Sequence, residues 1–183
     1  MDRRIRRTHK LLVDALVALA LRDGYDAVTI RDITDYADIS YSTFFRHYAD
    51  KDALFMSMIE ALILELRSLL DTHEPPAEGG TIIFQHVADN QALYRALLGG
   101  LNSSVMVQKV QEMIADSILK NQYVQPAALI PLEIAANHVA TSALALVKWW
   151  LDHDMPYPPE RMGAIYAALI IQPAWDTQPV VEE

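Results

Sequence analysis

Cysteine is absent from the 183-residue sequence. That removes disulfides, cysteine-ligated zinc and thiol chemistry together, and it suits a reducing compartment, expected to be the cytoplasm. Glycine is scarce at 6 residues. No sustained period-two alternation runs through the chain, and its one Asp-Gly pair, Asp23-Gly24, lies between helical patterns, so strands have little support. Long apolar runs are missing too. The most hydrophobic stretch, Ala127 to Leu151, is broken by Pro131, Glu133, Asn137, His138 and Lys148. A membrane span needs about 20 mostly apolar residues, so no membrane partner is expected. The basic start, Met1 to Arg7, is not followed by the apolar segment and cleavage site of a secretory signal, and is read as mature sequence. There is no Gly-x-Ser-x-Gly elbow, phosphate-binding glycine loop or His-Glu-x-x-His helix. His153-Asp154 near Glu133 lacks a second histidine at helical spacing and reads as a solvated loop. No catalytic residue, metal or cofactor is therefore expected, and an enzymatic reading has no support.

Positive charge is also in deficit, with a net charge of -9. Taken alone, this opposes a nucleic-acid partner, because phosphates call for a cationic surface. Distribution changes the reading. Residues 1 to 51 carry nine Lys or Arg against eight Asp, whereas residues 52 to 183 carry six against sixteen acids. Arg3, Arg4, Arg6, Arg7 and Lys10 crowd the first ten residues against Asp2 alone. The basic charge sits at one end.

What is abundant is apolar side chains, 52% of the residues, spaced for helices. Ile5, Leu12, Val13, Leu16, Val17 and Ala20 recur at three and four, with Gly24 as the stop. Thr29 with Asp32 three residues on resembles a capping box, and Ile33 and Ala37 give a short apolar face. Asp38-Ile39-Ser40 interrupts, and Ser40 caps a second short helix over Tyr41 to Tyr48. Asp50 caps a long amphipathic run from Lys51 through Leu54, Phe55, Met58, Ile59, Leu62, Leu66 and Leu70. His73 to Gly80, rich in Pro and Gly, predicts a loop. Further helical patterns cover about Thr81 to Asp89, Gln91 to Leu98, Ser103 to Gln122, Pro131 to Leu151 and Pro159 to Ile171, with Gly99-Gly100 and Pro126 as punctuation, and the tail from Gln172 is expected to fray. The fold expected is all-α, with about nine helices and no repeat.

Two short helices joined by a tight turn, the second carrying polar and aromatic groups, suit a DNA reading head: a helix fits the major groove while cations and caps hold phosphates. The pattern alone equally allows a helical hairpin whose aromatics fill a core. The run Thr29-Ile30-Arg31-Asp32-Ile33-Thr34-Asp35-Tyr36-Ala37-Asp38-Ile39-Ser40-Tyr41-Ser42-Thr43-Phe44-Phe45-Arg46-His47-Tyr48-Ala49-Asp50-Lys51-Asp52-Ala53-Leu54 resembles the N-terminal domain of tetracycline-repressor (TetR) family regulators, over about Arg3 to Met58. The resemblance implies that Thr29 and Arg31 touch phosphates beside Ile30. It puts Ser40, Tyr41, Ser42, Thr43 and His47 toward the groove, Tyr48 and Lys51 on the backbone again, and Ile33, Ala37, Ile39, Phe44 and Leu54 in the core. Arg3, Arg4 and Arg7 form an arm for phosphates or the minor groove. Asp38 stands where the family commonly has a turn glycine, Ser42 where it has a small residue, and Phe45 where it has a phosphate-contacting tyrosine. Asp tolerates a left-handed backbone, so the turn is expected to survive.

The resemblance further implies a helix-turn-helix domain over residues 1–50 and a helical domain over 51–183 that binds a small-molecule inducer and forms a homodimer on a palindromic operator. Ala135, Val139, Ser142, Ala143, Leu146, Ile165, Tyr166 and Leu169 form stripes suited to a four-helix contact between subunits, or to an intrachain core. Met58, Leu62, His86, Tyr94, Asn102, Met106, His138, Thr141, Trp149 and Trp150 are candidate inducer contacts, each also compatible with plain core. The function expected is a ligand-responsive transcriptional repressor. The alternative is a helical ligand-binding or protein-interaction module without DNA readout.

Overall fold

A computed structural model describes residues 3–70, 76–100, 104–121 and 130–175, and among these the apolar spacing resolves into helices. The chain runs α1 (Arg3–Asp23), a 3-10 turn (Tyr25–Ala27), α2 (Ile30–Ala37), α3 (Tyr41–His47), α4 (Lys51–Leu69) and α5 (Pro76–Asp89). It continues with α6 (Gln91–Gly100), α7 (Ser104–Asn121), α8 (Leu132–Asp152), α9 (Pro159–Tyr166), a π-helical segment (Ala167–Ile171) and α10 (Gln172–Trp175). The all-α architecture expected from the sequence is what forms. None of these helices is long and apolar enough to cross a membrane. The residues divide into two compact units.

The first unit runs to Leu62 and takes in α6. Leu12, Ala15, Leu16 and Leu19 of α1 are buried, with Ile33 and Ala37 of α2, Phe44 of α3 and Leu54, Phe55, Met58 and Ile59 of α4. The buried stripe of α1 thus leaves out Ile5, which is exposed, and Val13 and Val17, which are half-buried. Each large apolar side chain taken from water contributes about 1.5–3 kcal/mol, so this core fixes three short elements that could not stand alone as helices. α6 lies against α1 and the 3-10 turn, its Ala96, Leu97 and Leu98 buried. Gly24, at φ 83°, supplies the positive φ that ends α1, as its position predicts.

The second unit holds α4 from Ile63, with α5, α7, α8 and the segment from α9 through α10. Its core centres on Trp150, whose indole N–H donates to the Tyr157 carbonyl at 2.9 Å and whose ring meets Phe84 edge-on at 5.2 Å. One expectation is corrected here. His73 to Gly80 reads as a loop, yet α5 begins at Pro76 and includes Gly79 and Gly80. Proline costs nothing at a helix's first position, where the missing N–H would bond nothing anyway. The glycine has a different reason: a Cβ on Gly80 would lie 2.8 Å from the Gly163 carbonyl oxygen, and one on Gly163 only 2.4 Å from the Thr81 nitrogen. α5 and α9 cross backbone to backbone at these two residues. Likewise Gly99 and Gly100 do not end a helix early but complete α6.

Candidate nucleic-acid interface

Thr29 stops the extended chain and starts α2. Its hydroxyl donates to Asp32 Oδ2 at 2.6 Å and accepts from the Asp32 N–H at 3.2 Å, while the Asp32 carboxylate takes the Thr29 N–H at 2.9 Å. The reciprocal box satisfies two otherwise orphan donors. These bonds from Thr29 hold the Asp32 carboxyl below its usual range. α2 ends at Asp38 in the left-handed region, φ 51° and ψ 47°, with its N–H directed to Thr34 and Asp35 carbonyls. The Ile39 N–H reaches back to the Thr34 carbonyl at 3.0 Å. The turn is made without glycine, as the tolerance of Asp for this backbone leads one to expect.

Ser40 then caps α3, its hydroxyl accepting from the Thr43 N–H at 3.3 Å. Phe44 is fully buried and pins the helix, so the opposite face points outward: Tyr41, Ser42, Phe45 and Arg46 are exposed, Thr43 and His47 half-buried. Arg46 donates to Thr43 Oγ1 at 2.8 Å. An open groove of about 480 Å³ is lined by Arg4, Ile5 and Thr8 of α1 and by Thr43, Arg46 and His47 of α3. The structure therefore brings Arg4 of the arm together with Thr43 and His47 of the second short helix. It adds Thr8 and Arg46, which sequence reasoning passed over; Arg46, a cation three and four residues from Thr43 and Ser42 on a short helix, carried a legible signal. Arg7 is exposed on α1; the side chain of Arg3 lies outside the described residues.

Two of the expected backbone anchors have internal partners. The Tyr48 phenol, beyond the last residue of α3, shares a hydrogen bond with His9 Nδ1 of α1. Half-burial of His9, with the nearby His47 second, keeps its imidazole below the ordinary histidine range. Lys51 points its ammonium at the carbonyls of Tyr25 (2.7 Å) and Val28 (2.8 Å), over the Tyr25 ring at 4.2 Å. The Tyr25 hydroxyl in turn donates to Asp52 at 2.6 Å; burial first, and that carboxylate second, push the phenol far above its usual range. Ile30 is half-buried at the start of α2, and Arg31 beside it is exposed.

The candidate inducer contacts scatter. In the first unit Met58 and Leu62 are buried and Tyr94 half-buried; in the second His86, Met106 and Trp150 are buried, whereas His138, Thr141 and Trp149 are exposed. His86 Nε2 lies 3.7 Å from a Glu65 carboxylate oxygen. Asn102 lies outside the described residues. Of the candidate dimer stripe, Ala135, Val139 and Tyr166 are buried within the second unit's own core, Ser142, Ala143, Leu146 and Ile165 are half-buried, and Leu169 is 64% exposed. Ile134, which the stripe omits, is 58% exposed on α8.

Residues 12–58 match the family of bacterial regulatory proteins, tetR family, and residues 75–172, more than half of the chain, match the transcriptional regulator C-terminal region. HTH-type transcriptional regulator YxbF of Bacillus subtilis (strain 168) is 30% identical over 174 residues, covering 89% of this chain and 44% of the relative. HTH-type transcriptional regulator TcmR of Streptomyces glaucescens is 33% identical over 61 residues, 33% of this chain and 27% of the relative. The chain thus spans less than half the length of either relative. The crystal structure of a TetR transcriptional regulator from Streptococcus agalactiae 2603V superposes with a TM-score of 0.68 at 22% identity, covering 93% of this chain and 97% of that one. FadR from Bacillus subtilis, solved in complex with stearoyl-CoA, gives 0.65 at 14% identity over 88% and 97%.

Proposed function

Because the chain belongs to the tetR family of bacterial regulatory proteins, we propose that it is a ligand-responsive transcriptional repressor that binds a palindromic operator as a homodimer. The observation that carries the reading is α3: anchored inward by Phe44, exposed outward at Tyr41, Ser42 and Phe45, and flanked by a groove holding Arg4, Arg46 and His47. A two-fold pair of such helices would enter successive major grooves about 34 Å apart. The arm and groove cations would neutralise phosphates and so set affinity, while the outward face of α3 would set sequence.

The helical domain over residues 51–183 would carry the effector site, and its α8 and α9 the dimer contacts. The solved complex of the similar FadR with stearoyl-CoA supports looking for an effector among small metabolites. Effector binding would favour a dimer with its reading heads wrongly spaced, a coupling of about 1–3 kcal/mol, with α4, a helix that has residues in both units, as one of the covalent links. Tyr41→Ala and His47→Ala are expected to abolish operator preference while leaving the thermal transition in place. Footprints unchanged in both variants would refute this reading.

A further inference from the structure

α3 carries hydroxyls, cations and exposed aromatic rings, and these groups are not equally available to a ligand. Ser40 Oγ lies 2.8 Å from Thr43 Oγ1 and 3.2 Å from Ser42 Oγ, and Arg46 turns back onto Thr43 at 2.8 Å. The polar groups along one side of the helix thus interlock. Tyr41 and Phe45, four residues apart and therefore one above the other, are different. They are 53% and 46% exposed, and their rings meet edge to face, centroids 5.0 Å apart at 64°. Phe45 is backed in turn by the buried Phe44 ring, 5.4 Å away at 73°. Such edge-to-face contacts favour one arrangement. The result is a braced, exposed apolar ridge on α3, the helix that also lines the groove of Arg4, Arg46 and His47.

Building on the DNA-reading function proposed above, we infer that the Tyr41–Phe45 ridge is a reader of the pyrimidine C5-methyl group, supplied by thymine, in the operator half-site. The major groove offers donors and acceptors on every base pair but only one apolar group, the thymine methyl. Phe45 has no hydroxyl with which to read any other edge. A ring left half in water gains by covering that methyl, and a cationic groove lined by the same helix holds the duplex against it. The operator half-site therefore carries thymines that both rings cover, and uracil, which lacks only the methyl, is discriminated against at those positions.

The test uses the full-length protein and the duplex it retains from a random pool, with half-site thymines replaced singly by uracil and then by 5-bromouracil, which restores the bulk. Uracil is expected to weaken binding about fourfold at each position covered by the ridge, the effect of one methyl group left in water. 5-Bromouracil should recover the loss. In Phe45→Ala the thymine and uracil duplexes should bind alike at the Phe45 position, the coupling a direct contact requires. Equal affinity of the unmodified protein for thymine and uracil duplexes at every position overturns the inference while leaving the DNA-reading function intact. A uracil penalty that persists in both Phe45→Ala and Tyr41→Ala overturns the assignment to this ridge. Failure to retain any sequence removes the DNA-reading function and the inference with it.

Discussion

Thr29 does two jobs with one hydroxyl: it accepts the Asp32 N–H to cap α2 and donates to the Asp32 carboxylate. Thr29→Ala should cost about 1 kcal/mol, read as a lower midpoint in urea. The depressed Asp32 carboxyl stabilises the fold above its usual range, and that contribution is lost as pH falls through the lower folded value. His9 has the opposite chemistry. Its imidazole is held below the ordinary value of 6.5, so the unfolded chain takes up the proton first. Stability from the neutral ring is complete above about pH 6.5 and is lost as pH falls toward the folded value. Urea unfolding at pH 7.5 and 5.5 should show the unmodified protein losing more stability than His9→Gln over that interval; equal losses would contradict the account. The capping box was legible from its three-residue spacing. The bond between His9 and Tyr48 spans 39 residues, and no local pattern announces it. Lys51 shows why a residue's type does not fix its partner. A cation at that position is as fit for a phosphate as for the two carbonyls it holds, and only the path of the chain through Tyr25 and Val28 decides.

Among the elements, periodicity located α1, α4 and α8 because each turns one apolar stripe inward, a constraint written along its own residues. It missed the start of α5, where Pro76, Gly79 and Gly80 resemble a loop until Gly163, more than eighty residues later, is seen against them. The 3-10 turn at Tyr25–Ala27 was invisible for a related reason: three residues hold no period, and their place is set by Lys51 and Asp52. The glycines separate these causes by experiment. Gly163→Ala forces a methyl to within 2.4 Å of backbone and should destabilise by about 2 kcal/mol or more. Gly99→Ala meets nothing within 4 Å on α6 and should stabilise by about 0.5–1 kcal/mol. Denaturation midpoints moving in opposite directions would bear out the crossing of α5 on α9, and a neutral Gly163→Ala would contradict it.

For the whole molecule, the distribution of charge matters more than its sum. A net charge of -9 coexists with a groove lined by Arg4, Arg46 and His47, because nine of the fifteen Lys and Arg fall within the first 51 residues. The helix-turn-helix was legible because a dense local motif specifies it over some thirty residues. Which helix faces a ligand or a second subunit would cover was not legible, since periodicity finds a stripe without saying what covers it. Trp150 and Trp149 are neighbours in sequence, yet one is buried with its N–H bonded to Tyr157 and the other is 42% exposed. The central claim, that this chain reads DNA sequence through α3, is tested most directly by selecting bound duplexes from random DNA with the full-length protein. The account predicts enrichment of a palindrome whose half-sites lie about one helical turn, or a multiple of it, apart. A retained pool with no enriched sequence would contradict it.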